Sequence, residues 1–262
     1  MAEGAEEPVL VESVARGVVV AAVAPMLAEP HVSSGQVSQQ LAGYAVSIVE
    51  DQGDWLLVRG ADEYEGWMHR GYLAPVSGED TPAWLMSLGC VVRTAAGERR
   101  ALPLRAMLAP GDRLESGEVI DARERARRFP PSAEAIGRSA VELFAGTSYQ
   151  WGGITPWGAD CSGLVQSVFA LHGIQLPRDA WQQGRVGRDA GRDILATCPG
   201  DLLFFSDRPD GHITHVALAL GERRLVHLAL GRGGHALEQL DDGDAYVAKL
   251  RSRFLFARSV LR

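Results

Sequence analysis

The sequence predicts an α+β domain in the C-terminal half of the chain, preceded by two small all-β barrels. Three observations carry this expectation. Residues 18–75 hold short β-branched and aromatic runs separated by Gly and Asp. Residues 80–128 have a similar texture, although no strict repeat links the two stretches. After Pro130 and Pro131 the spacing turns helical, and apolar strands follow the helices. The expected boundaries are residues 1–78, 79–130 and 131–262.

In the first stretch, YAVSIVED (Tyr44 to Asp51), DWLLVRG (Asp54 to Gly60) and GWMHRGYL (Gly66 to Leu73) read as strands. In the second, LGCVVRTAAG, RRALPLRAM and LESGEVIDA do the same, ending before a linker, ARRFPPSAE. Ser132 is placed to cap a helix over SAEAIGRSAVELFAG. A second helix, SGLVQSVFALHG, is stopped by Gly173, and a short third one starts at Arg178 or Asp179. GDLLFFS, HVALALG, RLVHLAL and RFLFARSV complete the domain as strands.

Composition narrows the function. The balance of 26 basic against 33 acidic residues, net −7, disfavours a nucleic-acid partner. Lys249 is the only lysine, a poor basis for Schiff-base chemistry. The three cysteines, Cys90, Cys161 and Cys198, are odd in number and form no CxxC pair, so neither a disulfide framework nor a zinc site is expected, and no cofactor. MAEGAEEPVL lacks a basic leader region, and the apolar run Val18 to Ala24 is too short to span a bilayer. The expectation is a cytoplasmic protein without a membrane partner.

Cys90 and Cys198 have apolar or turn neighbours and read as small buried hydrophobes. Cys161 differs. The loop WGGITPWGAD delivers it to the first turn of a helix, where free N–H groups and the helix dipole favour a thiolate and an oxyanion. A nucleophile needs a base, and the base an orienting partner. His215 and His227 lie on consecutive expected strands. They share a face only if the connection has odd length or carries a bulge. His212 is the rival base, whereas His31, His69, His172 and His235 read as core, rim or surface residues.

YQWGGITPWGADCSGLVQSVFALHGIQLPRD, then GDLLFFS, then HVALALGERRLVHLAL resembles the NlpC/P60 family of papain-like cysteine peptidases over nearly all of residues 132–262. WLLVRGADEYEGWMHRGYL resembles a bacterial SH3 (SH3b) domain. The resemblance implies Cys161 as nucleophile, His215 as general base and His227 as the orienting residue. It places Tyr149 near the oxyanion, and Asp160 and Ser162 beside the substrate. Arg178 and Asp179 are expected to fix a loop together.

The family implies hydrolysis of the γ-D-glutamyl–diamino acid bond of murein stem peptides. The barrel-first order implies a requirement for a free N-terminal L-Ala, read by Asp160, Tyr64 and Glu65. Related sequences often place an acidic residue where Gly35 and Gln36 stand here, so Glu29 or Glu65 is expected to compensate. The alternatives are a general peptidoglycan hydrolase or amidase acting on intact wall, and a wall-binding SH3b protein.

Overall fold

The computed structural model describes residues 15–75 and 85–261. The expected boundary at 78/79 lies outside the described residues. Alternating apolar side chains in the first segment build seven strands: β1 (Arg16–Val19), β2 (Val23–Leu27), β3 (Gln36–Leu41), β4 (Ala45–Gln52), β5 (Trp55–Arg59), β6 (Glu65–His69) and β7 (Leu73–Pro75). They hydrogen-bond in the order β3-β2-β6-β5-β4-β1-β7 around Val19, Met26, Val46, Leu56, Val58 and Met68. The run expected as one strand from Gly66 to Leu73 is divided. A single 3-10 turn, Arg70–Tyr72, interrupts it, and the His69 ring nitrogen accepts the Gly71 N–H at 3.1 Å.

The second segment forms three strands, β8 (Met86–Arg93), β9 (Arg99–Met107) and β10 (Arg113–Ile120), in the order β10-β8-β9. This is a three-stranded sheet, where a second, degenerate barrel was expected. Too few strands are present to bury their own apolar face, so the face is shared. Cys90, Val92, Leu102, Ala106 and Leu108 pack with Leu41 and Ala42 of the first unit and with Ile154 of the C-terminal domain.

Helix α1 (Ala122–Arg128) forms just before the expected linker and takes in its first three residues, because the Asp121 carboxylate accepts the Glu124 N–H at 2.7 Å and three arginines occupy the last turn. Helix α2 (Ala133–Leu143) is capped by Ser132, as expected. A short hairpin, β11 (Ile154–Thr155) and β12 (Gly158–Ala159), leads into α3 (Cys161–Leu171), and Gly173 ends that segment with φ +82°. Helix α4 (Ala180–Gln183) follows.

The C-terminal sheet contains β13 (Arg188–Gly191), β14 (Asp201–Phe205), β15 (His215–Gly221), β16 (Arg224–Ala229), β17 (Gly234–Gln239) and β18 (Phe254–Ser259), with helix α5 (Ala245–Ser252) before the last strand. Its order is β13-β18-β14-β15-β16-β17. Phe144, Phe169 and Phe204 are fully buried between α2, α3 and this sheet. Cutting any one to Ala would cost about 3–5 kcal/mol.

The β15–β16 connection decides the face on which the histidines stand. Glu222 and Arg223 both have positive φ (52° and 59°), which closes a two-residue turn with Gly221 opposite Arg224. A bulge between Ala219 and Gly221 then resets the register, so that Leu218 faces Val226. Without that bulge a two-residue turn would put His215 and His227 on opposite faces.

Candidate active site

Asp160 is the N-cap of α3. Its Oδ1 accepts the Gly163 N–H at 2.7 Å and its Oδ2 the Gly152 N–H at 2.8 Å. A Cβ on Gly163 would collide with the Gly153 carbonyl, so the close approach of loop and helix requires glycine there. Arg178 is buried at 1 % exposure, and it donates from Nη1 to Asp160 Oδ1 (3.1 Å) and from Nη2 to Oδ2 (2.7 Å). It also donates to Ser162 Oγ at 2.9 Å and, from Nε, to Ser38 Oγ of β3 at 3.1 Å. The arginine therefore pairs with Asp160, not with its neighbour Asp179 as expected. The same bonds occupy both oxygens of Asp160, which leaves the carboxylate neutralised as a cap and anchor. Ser162 closes the network by donating to Asp160 Oδ1 at 3.1 Å.

Cys161 is buried at the first turn of α3, and backbone N–H groups of Val216 and Ser162 reach its sulfur. The helix start was expected to lower its pKa. Burial and the Asp160 charge outweigh those donors and push the thiol up to about 12. His215, half-buried next to Val216, is driven the other way, down to about 3, by burial and by the neighbouring His227 and Arg253. Both shifts favour the uncharged forms of the thiol and the imidazole.

Behind His215 runs a relay. His215 Nε2 lies 2.9 Å from His227 Nδ1, and His227, fully buried, has its Nε2 3.4 Å from Glu238 Oε1. Arg232 clamps Glu238 with bonds of 2.7 and 2.9 Å. Burial raises the Glu238 pKa, but the His227 and Arg232 hydrogen bonds more than offset it and bring it down to about 2. Glu238 was not anticipated. It faces Leu225 across the β16–β17 ladder, diagonal to His227, and that strand was not among those expected.

In front of the thiol opens a cleft of about 420 Å³. The first unit contributes Val37 and Tyr64 to it, and the catalytic half contributes Cys161, Asp179, Trp181 and His212. Tyr64 Oη donates to Asp179 Oδ1 at 3.3 Å, and Trp181 Nε1 donates to Oδ2 at 3.1 Å. Burial raises the Asp179 pKa, with Arg178 opposing. Burial and Asp179 together push the Tyr64 phenol up to about 12. Tyr149 is half-buried near the nucleophile, and burial and Cys161 raise its pKa.

Two expected contributors do not come to the cleft. Glu65 is turned to Arg59, which donates to it at 2.6 Å, and Glu29 pairs with the exposed His31 at 2.9 Å. Both lie in exposed strand or turn positions, where Arg59 and His31 are their hydrogen-bond partners. Gln36, at the position of the missing acid, instead donates to the Trp151 carbonyl at 2.8 Å and helps dock the first unit on the loop before Cys161. His212 lines the cleft but is exposed, and its backbone is what the neighbouring Ser206 and Asp210 bind. Cys90 is buried as expected, whereas Cys198 is half-buried at a turn.

A cysteine at a helix start, its sulfur reached by the backbone of the strand that carries a histidine pair, is an arrangement of the papain-like class of hydrolase sites. Comparison with known proteins narrows the class. The NlpC/P60 family model matches residues 146–247, and the bacterial SH3 domain model matches residues 23–74. Dipeptidyl-peptidase 6 of Lysinibacillus sphaericus is 30% identical over 265 residues, spanning 86% of this chain and 92% of its own. A γ-D-glutamyl-L-lysine dipeptidyl-peptidase of Bacillus subtilis is 28% identical over 212 residues, 72% of this chain and 71% of that one. The crystal structure of an NlpC/P60 family protein from Bacillus cereus superposes with a TM-score of 0.79 at 19% identity, covering 94% of this chain and all of the other, a likeness of fold. The chain belongs to the NlpC/P60 family and carries an N-terminal bacterial SH3 domain.

Proposed function

We propose that this protein is a cysteine endopeptidase that cleaves the γ-D-glutamyl–diamino acid bond of murein stem peptides bearing a free N-terminal L-Ala. The observation that carries this reading is the composite cleft, in which a tyrosine of the first unit and a carboxylate of the catalytic half meet beside the nucleophile. His215 takes the Cys161 proton as sulfur attacks the amide carbon. The oxyanion forms at the first turn of α3, beside the Cys161 backbone N–H, with Tyr149 nearby. Collapse breaks the C–N bond, and the imidazolium of His215 protonates the departing amine. Water then attacks the thioester, gives its proton to His215, and releases the γ-D-glutamyl product with the thiol restored.

Asp179 and the Tyr64 hydroxyl read the L-Ala ammonium in this proposal, in place of Asp160 and Glu65. The carboxylate is partly buried and, among the described residues, has no arginine hydrogen-bonded to it, so an incoming ammonium supplies a direct charged partner. Relatives named for dipeptidyl-peptidase action on γ-D-glutamyl-L-lysine bonds support the same substrate class. The test compares L-Ala-γ-D-Glu-diamino acid with its N-acetylated form, with products identified by mass spectrometry. A charge-assisted hydrogen bond is worth roughly 1.5–3 kcal/mol, so acetylation should lower kcat/KM by about ten- to a hundredfold. Intact sacculi should be untouched. Equal kcat/KM on the two peptides would point instead to a general wall hydrolase.

A further inference from the structure

We infer that Glu238, clamped by Arg232, is a positioning residue that dictates which ring nitrogen of His227, and through it of His215, carries the proton. The inference rests on the roles proposed above for Cys161 and His215.

Hydrogen-bond polarity runs in one direction along the relay. Glu238 is ionised across the neutral range, held so by Arg232, and an ionised carboxylate only accepts. His227 is fully buried and faces Glu238 through Nε2 and His215 through Nδ1. A neutral imidazole has one N–H, and the carboxylate draws it to Nε2. His227 Nδ1 is then a lone pair and needs a donor, which His215 supplies from Nε2 at 2.9 Å. That leaves the His215 proton on Nε2 and a lone pair on Nδ1, free to take the Cys161 proton.

Replace the carboxylate by an apolar group and nothing holds the His227 proton on Nε2. His227 can then donate from Nδ1 to His215 Nε2, which moves the His215 proton to Nδ1 and blocks the base. The Arg232–Glu238 pair has a simpler rival role as a tie between β17 and the turn before it. Arg232 is already engaged by Asp244 at 3.0 Å and by the Tyr246 ring at 4.3 Å, so that tie does not require a second acid. Nor does it require the acid to sit 5 % exposed against a buried imidazole. The 3.4 Å separation is long for a neutral bond and has room to shorten when positive charge develops on the histidine pair.

The experiment uses the full chain, the free-amine tripeptide, and Glu238→Leu and Glu238→Gln. A wrong tautomer in a comparable relay is costly, so kcat for Glu238→Leu should fall on the order of 10²-fold with KM within about twofold. Glu238→Gln, which keeps an accepting oxygen but loses the charge, should fall less. Nitrogen-15 NMR of the imidazoles should show both His215 and His227 protonated at Nε2 in the unaltered protein, and a population of Nδ1-protonated His215 in Glu238→Leu. A kcat near the unaltered value in both variants, or a His227 protonated at Nδ1 in the unaltered protein, would overturn the inference. If Glu238→Leu does not fold, the tautomers of the unaltered protein and the kcat of Glu238→Gln decide. Tautomers as expected in a protein that does not cleave the peptide would sink the proposed function and leave the positioning role standing.

Discussion

The two walls of the cleft are built differently. The catalytic wall is held from behind by charge that is buried at its inner end and hydrogen-bonded throughout: the buried Asp160–Arg178 pair under α3, and the buried His227 and Glu238 clamped by the surface Arg232 under β15 and β16. The wall from the first unit is held by separate contacts across an interface: Gln36 to the Trp151 carbonyl, Gln39 accepting the Ile154 N–H at 3.1 Å, Ser38 accepting from Arg178, Tyr64 to Asp179, and the apolar packing of Leu41 and Ala42 with Ile154. Buried networks impose one geometry because breaking them strands a charge. The exposed Gln36 bond and the half-buried Tyr64 bond allow small adjustments around a ligand. In the proposed function the chemistry falls on the stiff wall, and the selection of the peptide end draws on the softer one.

The largest effect should come from the stiff wall. Cys161→Ala and Cys161→Ser should abolish peptide cleavage in a turnover assay while circular dichroism stays unchanged. Cys90→Ala should keep activity. His215→Ala should lower kcat on the order of 10²- to 10⁴-fold, with His212→Ala close to the unaltered protein. Equal damage from both, with both folded, would move the base to the exposed cleft rim.

Next comes the anchor beneath the thiol. Arg178→Met leaves Asp160 buried without its partner, which should cost about 3–5 kcal/mol in urea unfolding. A loss below 1 kcal/mol would show that the backbone donors at Gly152 and Gly163 suffice to hold Asp160. Tyr64→Phe, on the softer wall, should narrow the discrimination between free and acetylated peptide by about tenfold, with little change in unfolding midpoint. A loss of stability with unchanged discrimination would make Tyr64 a docking residue only.

The smallest effect is a pH dependence that separates the walls. His172, His215 and His235, all in the catalytic half, have pKa values lowered by burial, His215 to about 3. The unfolded chain binds protons at these groups near the ordinary value of about 6.5, and the folded chain resists. Their stability penalty is absent above that value and grows as pH falls below it. Urea midpoints should accordingly decline between pH 7 and pH 5. A flat profile over that range would show that the buried histidines protonate in place.

Legibility in the sequence varied along the chain for physical reasons. The cap at Ser132, the stop at Gly173, and strands β14, β15, β16 and β18 carry local signals, namely a capping hydroxyl, a left-handed glycine and dense apolar runs. Strand β17 was missed because GHALEQ has little apolar alternation, and with it went Glu238. Helix α1 was missed because its Asp121 cap precedes a charged run with no buried residue. The second barrel was overcalled from strand texture, which registers that strands exist and carries nothing about whether the sheet closes.

The sequence by itself determined that Cys161 stands at a helix start behind a glycine-rich loop, and that two histidines follow on consecutive strands. These are local facts, encoded by turn residues, caps and periodicity. Only the tertiary structure decided that a bulge before the β15–β16 turn puts the histidines on one face, that Arg178 neutralises Asp160, and that Asp179 meets Tyr64 across the interface. Partner choice among charged groups depends on distance and burial between residues far apart in the chain, as with Arg178 and Ser38. The thiol itself shows the difference. The local signal at the helix start favours a thiolate, but burial, which exists only once the chain is folded, holds it as a neutral thiol.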